Sequence, residues 1–118
     1  MTGFLTTHVL DVMNGTPANE MKIELFEIKS EKCNILAHII TNQDGRSKKP
    51  ILANEVFKIG EYELLFYVGD YFSAKDTPLN NGQFLDIVPV RFKIDDKNSH
   101  YHVPLLVTPY GYSTYRGS

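Results

Sequence analysis

Phe4-Leu5-Thr6-Thr7-His8-Val9-Leu10 is the run on which the reading of this chain turns. Leu5, Thr7 and Val9 fall on one parity and Thr6, His8 and Leu10 on the other, the two-residue period of an extended strand. The run ends near Asn14-Gly15-Thr16-Pro17, residue types that make turns. A strand of this kind puts His8 on a definite face.

The same period recurs further along. In Met21 to Ile28, Ile23 and Leu25 oppose Lys22 and Glu24, and a third run extends from Ile35 to Thr41. Asn42-Gln43-Asp44-Gly45 then forms a turn. Glycine adopts positive φ without strain, so Arg46 leaves that turn in a fixed direction. Gly60 to Val68 is a further strand, Asp70 to Lys75 a short helical turn, and the Pro- and Asn-containing connection Thr77 to Gly82 the piece expected to be least ordered. From Ile87 to Ile94, Val88, Val90, Phe92 and Ile94 oppose Arg91 and Lys93, while Pro89 marks an edge strand or a bulge.

His100 to Tyr115 behaves differently, because both of its faces are apolar or aromatic. Tyr101, Val103, Leu105 and Val107 share one face, and Pro104 and Leu106 join His100 and His102 on the other. Such a segment needs cover on both sides, from a packed sheet of the same chain or from a second subunit, and the subunit is preferred. The fold class expected is all-β, a two-sheet antiparallel sandwich with one short helix.

At 118 residues and 42% hydrophobic side chains, the chain suits one domain spanning 1–118. Twelve basic against fourteen acidic side chains give a net charge of -2 with no block of like charge, which offers no footprint for nucleic acid or an anionic membrane. No run approaches membrane-spanning length, the opening residues lack the apolar stretch of a secretory signal, and Arg116-Gly117-Ser118 is not a peroxisomal address. A cytoplasmic location is expected. Cys33 is the one cysteine, so an intramolecular disulfide is excluded, and it reads as a small half-buried strand residue.

His8, His100 and His102 are the candidates for chemistry. Histidine titrates near neutral pH, so a pair on facing strands could take a proton from water and pass one to a leaving nitrogen. A His-x-His strand with a third histidine is also the ligand set of a catalytic zinc, although no carboxylate is placed to orient either ring. His38 packs or points outward. Arg46 has the planar fork to bind a carboxylate or stabilise an oxyanion, or else pairs with Asp44 on the surface. Tyr115 shares a parity with Ser113, and Tyr110 and Tyr112 share the other. With no phosphate loop, nucleophile elbow or Cys-His pairing, attack by an activated water is the mechanism these residues support.

Leu5-Thr6-Thr7-His8-Val9-Leu10-Asp11, Thr41-Asn42-Gln43-Asp44-Gly45-Arg46, His100-Tyr101-His102-Val103-Pro104-Leu105-Leu106 and the closing Tyr112-Ser113-Thr114-Tyr115-Arg116-Gly117-Ser118 together resemble the 5-hydroxyisourate hydrolases of the transthyretin-related family. The resemblance covers nearly the whole chain, and its terminal Tyr-Arg-Gly-Ser is the mark of the enzymes rather than of the hormone-carrying transthyretins. It implies a prealbumin-like sandwich of transthyretin type, a homotetramer with its sites in a channel between dimers, and a purine-derived small-molecule substrate. The implied reaction is hydrolysis of 5-hydroxyisourate to 2-oxo-4-hydroxy-4-carboxy-5-ureidoimidazoline, on the way from urate to allantoin, with no cofactor and no metal. The roles it carries over fall on His8, Arg46 and His102 as catalytic residues, with Tyr115 and Ser118 lining the substrate pocket beside His8 and Arg46. His100 matches the motif as a weaker candidate. Thr6 stands where serine is common, and Asp86 where proline is usual, with Pro89 displaced into the following strand. A non-catalytic small-ligand-binding module and a zinc-dependent hydrolase on the same scaffold are the competing readings.

Overall fold

The computed structural model describes residues 3–30, 32–75 and 83–117. Two sheets carry the chain. The first has the order β2 (Thr16–Pro17), β1 (Phe4–Asp11), β8 (His100–Val107), β9 (Tyr112–Thr114), with the short β5 (Leu52–Ala53) also paired to β1. The second has the order β4 (Lys32–Ile40), β3 (Lys22–Lys29), β6 (Gly60–Tyr67), β7 (Ile87–Ile94). Among the described residues the one α-helix, α1 (Val68–Ala74), follows β6 directly. The sandwich and the single short helix are those expected, with Val68 opening the helix rather than closing the strand.

Alternation decides which way each strand faces. Leu5, Thr7, Val9 and Asp11 of β1 are buried while Phe4, Thr6, His8 and Leu10 are half-buried, and Tyr101, Val103, Leu105 and Val107 of β8 are buried in the same sense. These residues pack against Ile23, Leu25, Tyr62, Leu64 and Phe66 from the second sheet to make the core. Burying side chains of this size stabilises by roughly 1.5–3 kcal/mol each before the cost of ordering them.

Within the first sheet, β1 and β8 run parallel, unlike the antiparallel pairs elsewhere in the two sheets. Parallel neighbours need a long connection, and here nearly all of the intervening chain supplies it by way of the second sheet. The Thr7 hydroxyl donates to the Val103 carbonyl at 2.7 Å inside the core. At the end of β1, buried Asp11 accepts from the Tyr71 hydroxyl of α1 at 2.7 Å and from the Asn14 amide at 2.9 Å. The strand is thus pinned at its far end.

Pro89 sits on β7, an edge strand of the second sheet, where its missing N–H costs no ladder bond. Cys33 is exposed rather than half-buried, because β4 is the opposite edge and packs little of its surface. The Thr77 to Gly82 connection lies outside the described residues. Among the described residues no helix is long and apolar enough to cross a membrane.

Candidate active site

The parallel register sets the site. Phe4 pairs with His100, Thr6 with His102 and His8 with Pro104, so residues of one parity on β1 lie beside residues of one parity on β8. All project from the face of the sheet opposite the core. Partners in neighbouring strands are about 4.8 Å apart, near enough for side chains to bond directly. The three histidines that were 92 or 94 positions apart in sequence, His8 against His100 and His102, come onto one surface this way.

Arg46 arrives by a turn that hydrogen bonds build in full. The Asn42 side-chain oxygen accepts from the Asp44 and Arg46 amides at 2.9 and 3.2 Å, and the Asn42 amide donates to the Arg46 carbonyl at 2.8 Å. Gly45, at φ 73°, is buried against β1, and the Val9 amide donates to its carbonyl at 2.9 Å. A β-carbon at Gly45 would run into the Val9 carbonyl oxygen and lie 3.2 Å from the Ala18 nitrogen, so both conformation and space demand glycine. The result is an antiparallel bridge between His8 and Arg46, which seats the guanidinium side chain next to the first histidine.

Thr6 organises the other pair. Its hydroxyl lies 2.7 Å from His102 Nδ1 and 2.7 Å from His100 Nε2. The His100 ring stacks on Phe4, centroids 4.1 Å apart and 15° from parallel. Gly117 backs the His102 ring: its amide donates to the His102 carbonyl at 2.8 Å, and a β-carbon there would stand 2.6 Å from His102 Cδ2. His102 is therefore fixed on one edge by a hydroxyl and on another by bare backbone.

Charge follows from these neighbours. Burial and the Arg46 cation hold His8 below the ordinary histidine value, offset by a hydrogen bond to the Asp44 backbone and by the Asp44 charge. His102 is likewise lowered, by burial first and then by Arg46, His100 and His8. Both rings are neutral at pH 7 and available to accept a proton. Arg46 joins none of the ion pairs found among the described residues, including none with Asp44. Among the described residues its fork is free for an incoming anion or oxyanion.

Of the residues expected from sequence, the fold gathers His8, Arg46 and His102, with His100 beside them. Tyr115 is exposed and helps line a cleft of about 320 Å³ together with Phe92, Tyr101 and Arg116. That cleft borders core-side residues of β8. Ser118 lies outside the described residues. β9 covers only Tyr112–Thr114, so Tyr110 falls in the preceding turn, where the strand parity assumed for it has no force. His38 is exposed on β4.

Thr6, Phe4, Asn42 and Gly117 are the supports that sequence reasoning did not assign. Thr6 and Phe4 share the parity of His8, a signal that was present; the roles of Asn42 and Gly117 depend on tertiary approach. In the single chain His8 and His102 are half-buried and Arg46 is exposed, so solvent reaches all three. Among the described residues no three His, Cys, Asp or Glu side chains are grouped as metal ligands, and the Thr6 hydroxyl already engages one nitrogen each of His100 and His102.

Comparison with known proteins adds three findings. The family model described as HIUase/Transthyretin family matches residues 5–117. A protein of Rhizobium meliloti named 5-hydroxyisourate hydrolase 2 is 49% identical over 117 residues, covering 99% of this chain and 98% of the relative. Among solved structures, (S)-allantoin synthase superposes with a TM-score of 0.93 at 47% identity, over 99% of this chain but 44% of that one, and Klebsiella pneumoniae 5-hydroxyisourate hydrolase with 0.82 at 30% identity, over 98% and 99%.

Proposed function

Because this chain belongs to the HIUase/Transthyretin family, we propose that it is a 5-hydroxyisourate hydrolase in which His8, Arg46 and His102 carry out the chemistry. The observation that carries the reading is the meeting of two neutral imidazoles and a guanidinium on one sheet face. Water adds to a ring carbonyl of the purine-derived substrate. One histidine takes the water's proton, Arg46 stabilises the negative charge that grows on oxygen, and that proton is returned to the departing ring nitrogen as the C–N bond breaks, with the other histidine assisting. The product is 2-oxo-4-hydroxy-4-carboxy-5-ureidoimidazoline. No cofactor or metal enters these steps.

The rest of the reading concerns surroundings. Tyr115 and Ser118 flank the substrate, the domain spans 1–118, and the protein works in the cytoplasm. Four copies assemble so that the outer face of β1 and β8, apolar at Leu10, Pro104 and Leu106, gains its second cover from another subunit. In the single chain the reacting groups keep contact with solvent, whereas a covering subunit would lower the local dielectric and strengthen each charge interaction.

The test follows the ultraviolet decay of freshly generated 5-hydroxyisourate with and without the protein, before and after treatment with a chelator. Faster decay that chelation leaves unchanged is expected. Decay at the uncatalysed rate contradicts the hydrolase reading, and loss of turnover on chelation contradicts the metal-free mechanism.

A further inference from the structure

We propose that Thr6 is a positioning residue which, with His100, forms a short proton relay and makes His102 the group that takes the proton from water; this deepens, and rests on, the hydrolase reading above. A threonine hydroxyl has one hydrogen to give. The Thr6 oxygen is 2.7 Å from both His102 Nδ1 and His100 Nε2, so at least one of those two nitrogens must itself carry hydrogen. Two arrangements of the neutral rings satisfy this. If Thr6 donates to His102, the hydrogen of that ring sits on Nε2 and no lone pair remains to accept a proton. If Thr6 donates to His100, His102 donates through Nδ1–H and its Nε2 lone pair is free.

The surroundings favour the second arrangement. Arg46 is a permanent cation close enough to disfavour positive charge on His102, so a proton taken up by that ring is better passed on through the hydroxyl than kept. Gly117 closes the Cδ2 edge of the ring, and among the described residues the hydrogen bonds of the ring engage Nδ1 and not Nε2. His8 is built differently: the group acting on its ring is the Asp44 backbone carbonyl, which can accept a hydrogen bond but cannot pass a proton on. A hydroxyl can do both.

The step then balances. The water O–H bond breaks as its proton joins His102 Nε2, while its oxygen bonds to the substrate carbonyl carbon and the carbonyl π pair moves onto oxygen. The Nδ1 proton of His102 crosses to the Thr6 oxygen as the original Thr6 proton crosses to His100 Nε2. His102 ends neutral and His100 ends as imidazolium. The charge has moved away from Arg46 onto a ring stacked against Phe4, where an aromatic face favours a cation.

Thr6→Val removes the hydroxyl at constant shape, and Thr6→Ser keeps it. Thr6→Val should lower kcat by about 10- to 100-fold with KM changed by less than about twofold, and Thr6→Ser should restore most of the loss. His100→Phe should match the loss in Thr6→Val, and the double variant should be no worse than either. Ring 15N signals should place the His102 hydrogen on Nδ1 in the unmodified protein and shift it toward Nε2 in Thr6→Val. Wild-type kcat in Thr6→Val, equal impairment in Thr6→Ser, or a His102 hydrogen already on Nε2 overturns the proposal. The 15N reading needs no substrate, so a chain inert toward 5-hydroxyisourate would sink the functional reading while the tautomer was still decided on its own.

Discussion

Toward the second sheet, β1 and β8 present Leu5, Thr7, Val9, Tyr101, Val103 and Leu105, all buried. On their other side the same two strands present Thr6, His8, His100 and His102, all partly exposed. One backbone serves both faces, and only residue parity separates them. The inner face holds the sheets together by apolar burial; the outer face carries titratable groups within reach of solvent. Substitutions on the two faces should therefore move different quantities, even at adjacent positions.

A large predicted effect on turnover lies on the outer face. Arg46→Met should lower kcat/KM for 5-hydroxyisourate by about a hundredfold or more, the usual cost of losing a group that stabilises developing charge. It should also move the pH profile. His8 and His102 sit below 6.5 partly because of Arg46, and the neutral ring is the working form. Activity is thus present above the lowered values and falls as pH drops through them, placing the acid limb below 6.5. Without Arg46 that limb should shift upward, and an unmoved limb would mean that the guanidinium is not felt by either ring.

Thr7→Val sharpens the comparison at smaller scale. It makes the same change as Thr6→Val one residue away, but on the buried side, where it removes the hydrogen bond to the Val103 carbonyl. Thermal or denaturant unfolding should show a loss of about 1 kcal/mol, with kcat and its pH profile unaltered. A loss of turnover comparable to that of Thr6→Val would show that the two faces are not separable.

Much of this arrangement was legible before any coordinates. The alternation in Phe4–Leu10 assigned His8 to a definite face, opposite Leu5, Thr7 and Val9, and the doubly apolar β8 was read as needing cover on both faces, of which the second sheet supplies one. The Asp44-Gly45-Arg46 turn was read as aiming Arg46, because glycine's backbone freedom is a local property. Non-local facts were not legible. The parallel pairing of β1 with β8, the bridge of Arg46 to His8, and the approach of Gly117 to the His102 ring all join residues far apart in the chain. Cys33 was misjudged because edge position, not residue type, governs exposure on β4. Thr6 was noticed as a departure from serine, yet the two imidazoles it holds could be seen only once the register was known.

The most direct test of convergence is a double-mutant cycle on His8→Asn and His102→Asn, with the fold of each variant checked by circular dichroism and kcat/KM measured on 5-hydroxyisourate. Groups acting as one unit should each cost about 10²- to 10⁴-fold alone, with little further loss when both are removed. Losses that multiply, or His102→Asn turning over at the unmodified rate, would contradict a single shared site on the outer face of β1 and β8.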